Sequence, residues 1–135
     1  MKITGLNTCL KALQFDDSGL YNILNEAGSN ILASTESIVS QVDPYVAASY
    51  NMFVTKQGDK IIVNVGSDLD LSAYVEFGTG SYVIAPNSEV NSDYMMQFFK
   101  NGKGTIRPHS GLVPSFRIER QRVIQAIQDE LKRQF

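Results

Sequence analysis

Tryptophan is absent from this chain, and cysteine and histidine occur once each, as Cys9 and His109. A lone cysteine excludes an intrachain disulfide and any zinc site built from several thiolates, and it suits synthesis in a reducing cytosol. A lone histidine leaves little for general acid–base chemistry. His109 lies in a Pro/Gly-rich stretch beside Ser110, no acid can be assigned to it, and no G-x-S-x-G elbow occurs anywhere. Neither sign of charge dominates: 12 basic and 14 acidic residues leave a formal net charge of -2, so no global field draws the chain to nucleic acid or an anionic membrane. No apolar run approaches the ~20 residues that span a bilayer. The opening MKITGLNTCLKALQF has neither the unbroken apolar core nor the small-residue cleavage site of a secretion signal.

What is there is enough for one hydrophobic core. With 135 residues, 43% of them hydrophobic, the chain reads as a single domain, 1–135, with an irregular apolar insertion at about 79–111. Charge is unevenly spread along it. Residues 1–99 carry four basic and eleven acidic side chains, a balance of -7, whereas residues 100–135 carry eight basic and three acidic, a balance of +5. Two parts of opposite sign suit head-to-tail contact between copies of one chain, although the same pattern also arises when the two signs solvate different faces.

Periodicity sets the expected elements. Leu6, Leu10 and Leu13 have the spacing of a short amphipathic helix over Asn7 to Phe15, which Asp16 to Gly19 break. Leu20, Ile23, Leu24, Ala27, Ile31, Ile38 and Val39 recur at helical spacing, predicting a helix of about five to six turns from Leu20 to Gln41, capped by Ser18 and stopped before Pro44. Gly28 in its middle hints at close packing. Ala47 to Thr55 and Ile61 to Val65 read as a β-hairpin across KQGDK. Asp70 is placed to cap a short helix running to Phe77, with Gly78 closing it in the left-handed conformation. SDYMMQFFKNG reads as one or two helical turns capped by Asp93. Pro114 opens a terminal amphipathic helix with Phe116, Val123, Ile124, Ile127, Leu131 and Phe135 on one stripe. The fold expected is α+β: a small antiparallel sheet of about three or four strands built on the hairpin, packed by the long N-terminal-half helix and the C-terminal amphipathic helix, with a further strand from Tyr82 to Ile84 or Thr105 to Val113.

Candidate chemistry is sparse. Asp68, Asp70 and Glu76 offer oxygens to a divalent cation, but the spacing matches no ligand loop and turn or capping roles account for both aspartates. Gly78-Thr79-Gly80 lacks the Lys-Ser/Thr and the helix that hold a phosphate. Cys9 falls where a buried inert thiol is the usual outcome. The expectation is a protein without catalytic residues, cofactor or metal. Two surfaces stand out instead. Tyr82, Val83, Ile84, Tyr94, Met95, Met96, Phe98 and Phe99 make the insertion too apolar for a free loop, so it is a candidate oligomer interface. Arg117, Arg120, Arg122, Lys132 and Arg133 give the last helix a basic outer face that could meet DNA phosphates without reading sequence.

Ala73-Tyr74-Val75-Glu76-Phe77-Gly78-Thr79-Gly80 resembles the "YA-x-x-VEFGT" signature of phage head-tail joining proteins, the neck, tail-completion and minor tail components of siphophage-type virions. Gly5-Leu6 through Leu10 and Leu13 is similar to the family's "GL-x-x-L-x-x-L" opening. Gly111-Leu112-Val113-Pro114-Ser115-Phe116 approximates its "P-F-L-x-P-A-hydrophobic" lead into a C-terminal helix. The chain departs from the family at Val42 to Ser49, which has no Thr-Gly and no Arg, and in a longer, more apolar stretch between Gly80 and Gly111. The resemblance implies a structural virion protein of a tailed phage or prophage, made in the bacterial cytoplasm, that forms a ring-like homo-oligomer around the DNA channel. Its partners would be its own copies and other head-tail and tail proteins, with no membrane and no small-molecule substrate. Within the signature Tyr74, Val75, Glu76, Phe77, Gly78 and Thr79 read as structural. The rival readings are a nucleic-acid-binding accessory protein using the basic helix, and a small hydrolase using His109.

Overall fold

The computed structural model describes residues 2–3, 17–58, 60–83, 92–99 and 102–135, and over them the chain is α+β. In chain order come strand β1 (Lys2–Ile3), the long helix α1 (Ser18–Ser40), the one-turn helix α2 (Pro44–Ala47), strands β2 (Tyr50–Gln57) and β3 (Lys60–Ser67), helix α3 (Asp70–Phe77), a 3-10 turn (Gly80–Tyr82), the short helix α4 (Ser92–Met96) and the long helix α5 (Leu112–Gln134). The helix expected from Asn7 to Phe15 lies outside the described residues.

α1 buries Leu20, Leu24, Ala27, Ile31, Thr35 and Val39, a stripe advancing three or four residues at a time, which is the helical repeat written in side chains. Its N-cap is Asp17 rather than Ser18, which is the first helical residue. Gly28 sits where α1 crosses the hairpin: a Cβ there would stand 2.4 Å from Met52 Cε and 2.9 Å from Val63 Cγ1, so a bare backbone sets how closely helix and sheet approach. The helix yields before Pro44, whose ring suits the first position of α2. Asp43 caps that turn by accepting from the Tyr45 and Val46 amides at 3.0 and 3.3 Å. Ala47 therefore ends a helical turn instead of opening a strand, and β2 starts at Tyr50.

β2 and β3 pair antiparallel, with Val54 opposite Val63, and turn at Gly58, whose φ of 59° is the left-handed conformation a tight turn needs. Ile61 and Val63 point into the core with Leu20, Leu24, Ala27 and Val123. The third strand is neither of the two expected. Gly80–Tyr82 is a 3-10 turn, residues 103–111 have no regular structure, and Leu112 and Val113 already belong to α5; Ile84 lies outside the described residues. β1 takes the place instead, pairing with β3 through Lys2 opposite Ile62 and giving the order β1-β3-β2.

α5 packs mainly on α1, and the two run antiparallel: Gly111 lies against Thr35 and Val39, while Glu130 lies against Gly19. Because one helix rather than a sheet receives α5, its buried stripe is narrow, made of Ser115, Glu119 and Val123 with Ile127 and Leu131 partly covered. Ile124 and Phe135, expected on that stripe, are 50% and 67% exposed. Among the described residues no helix is long and apolar enough to cross a membrane.

Candidate assembly surface and the clasp beneath it

The turn after Ser67 starts the site. Ser67 Oγ accepts from the Leu69 amide at 3.1 Å, and Ser72 Oγ donates to the Leu69 carbonyl at 2.7 Å. Leu69 is thus the N-cap of α3, and Asp70, expected in that role, lies inside the first turn, where its charge faces the positive end of the helix dipole. At the other end Gly78 adopts φ 79°, ψ 179°, an extended mirror-image conformation and not the left-handed helical one. Space as well as conformation demands glycine there: a Cβ at Gly78 would meet Pro108 Cδ at 2.8 Å and the Tyr82 carbonyl at 2.9 Å.

Around that bend the signature residues hold the returning chain. The Thr79 amide donates to the Ile106 carbonyl at 2.9 Å, and Thr79 Oγ1 accepts from the Ile106 amide at 3.1 Å. Gly80 donates to the Phe98 carbonyl at 3.0 Å. The His109 amide donates to the Val75 carbonyl at 2.7 Å, and Ser110 Oγ to the Glu76 carbonyl at 2.6 Å. Glu76 itself is buried, and its carboxylate accepts from the amides of Gly111, Leu112 and Val113 at 2.7, 3.1 and 2.7 Å. These are the orphan donors at the start of α5, so the acid caps a helix 35 residues further along the chain. Its negative charge also acts on Tyr50, whose phenol is pushed up to about 12, first by burial and then by Glu76. This cap was missed in the sequence, yet a signal was present: GLVPS begins a helix with no Ser, Thr, Asp or Asn of its own at the cap position.

Phe98 anchors the apolar segment to the clasp. It is buried, 5.4 Å from the Phe77 ring, with Tyr74 and Tyr94 packed edge-on at 5.7 and 5.4 Å. Val83 packs partly buried against the same cluster. The rest of the candidate interface faces outward: Tyr82 is 39% exposed, Tyr94 48%, Met96 58% and Phe99 41%. Ile84 and the Met95 side chain lie outside what is described. Asp93, expected to cap α4, falls within its first turn. Next to Tyr94 an open cleft of about 300 Å³ is lined by Ser67, Asp68, Asp70 and Phe77, among others.

The basic residues of α5 are largely engaged. Arg122 bonds Glu119 through Nε at 2.6 Å and reaches Glu26 at 3.7 Å, contacts that hold its guanidinium firmly protonated. Arg133 forks onto Glu130 at 2.7 and 3.0 Å, and that hydrogen bonding, joined by Gln134, lowers the Glu130 carboxyl to about 2. Arg120 stacks over Phe116 at 5.8 Å, and Arg117 and Lys132 project from the exposed face. His109 is half-buried with Nε2 3.0 Å from the Ile38 carbonyl, an acceptor that makes this nitrogen the donor. Among the described residues no three His, Cys, Asp or Glu stand close enough to hold a metal ion. Asp68 and Asp70 line the cleft, whereas Glu76 is turned onto the α5 amides; Cys9 lies outside the described residues.

Comparison with protein-family models, with curated proteins and with solved structures finds no match in any of the three.

Proposed function

We propose that this chain is a structural component of a tailed-phage or prophage virion, joining head to tail at the neck or completing the tail by forming a ring of copies around the DNA channel. The observation that carries the reading is the exposure of Tyr82, Tyr94, Met96 and Phe99, large apolar side chains on segments tied to buried Phe98 by the Tyr94 ring contact and the Gly80 amide. Large apolar side chains clustered on a surface mark a site of association. The resemblance of Tyr74 to Thr79 to the head-tail joining signature says what kind of association to look for. The bonding of those residues supports a structural role for the signature, since Glu76, Gly78 and Thr79 are occupied in fastening the chain to itself. His109 and Ser110 likewise spend their polar atoms on backbone carbonyls, which gives the hydrolase reading no support. The pairing of Arg122 and Arg133 with acids similarly reduces the charge α5 could offer to phosphates.

Replacing Tyr82, Met96 and Phe99 with Ser tests the reading while leaving Phe98 and the rings packed on it, Phe77, Tyr74 and Tyr94, in place. Light scattering on the wild type should give a mass of several subunits and negative-stain microscopy a ring with a central opening, while the triple variant should be a folded monomer. A wild type that remains a monomer at the highest attainable concentration refutes the proposal.

A further inference from the structure

We draw no further inference here: the strongest candidate, the half-open apolar cavity of about 190 Å³ between Ala27 and Ile31 of α1, Val63 of β3 and Phe116 of α5, carries nothing, because nothing in the structure shows what occupies it.

Discussion

Glu76 does at long range what a serine or aspartate usually does at the residue before a helix. Three amides at the start of α5 donate to one buried carboxylate, which satisfies donors that no residue of the helix itself could reach. Glu76→Gln keeps the shape and one good acceptor but removes the charge, and should cost about 2 kcal/mol; Glu76→Ala leaves the amides orphaned and should cost roughly 3 kcal/mol or more. Urea unfolding monitored by circular dichroism measures both. Tyr50 yields a prediction in pH. Its folded value, about 12, lies above the ordinary 10.0, so between these the folded chain retains a proton that the unfolded chain has lost. Stability should therefore fall as pH rises from about 10 to 12, and Tyr50→Phe should flatten that slope in unfolding measured across the same window.

At the level of elements, the glycines separate conformation from crowding. Gly58 has φ 59° with nothing near its missing Cβ, so Gly58→Ala should cost only the left-handed strain, about 1 kcal/mol. Gly80 has φ 61° and packs against Gly104 so closely that a Cβ would stand 2.4 Å from the Gly104 nitrogen. Gly80→Ala adds a backbone clash to the same strain and should cost at least about 3 kcal/mol, loosening the Thr79–Ile106 bridge as it does so. Thermal melts of the two variants side by side distinguish the cases. The long helices and the hairpin were legible because their apolar residues repeat at 3.6 and 2.0 positions, a property of the local chain. The third strand was not: a two-residue strand carries no period, and only the exposed edge of β3 gives Lys2 and Ile3 a reason to extend. The same limit explains why α5 looked more amphipathic than it is, since period alone does not say how wide a surface will cover it.

For the molecule as a whole, the apolar insertion divides into a part that holds the fold and a part that faces outward. Phe98→Ala removes a buried ring from between Phe77, Tyr74 and Tyr94 and should destabilise by about 3 kcal/mol. Phe99→Ala, one position on, should change stability by less than about 1 kcal/mol and act on association instead. Denaturation and sedimentation of this pair tell core from surface. From residues 79–111 the sequence conveyed that something must cover so much apolar surface, but not which ring covers itself. By itself the sequence determined the helices and the hairpin, the scarcity of reactive groups and the opposite charge of its two parts, because composition and period act over a few neighbouring residues. Only the tertiary structure decided that Glu76 caps α5 and that Lys2–Ile3 adds the third strand to the sheet. Those follow from which distant segments meet, and that is settled by burial and hydrogen-bond geometry summed over the whole chain.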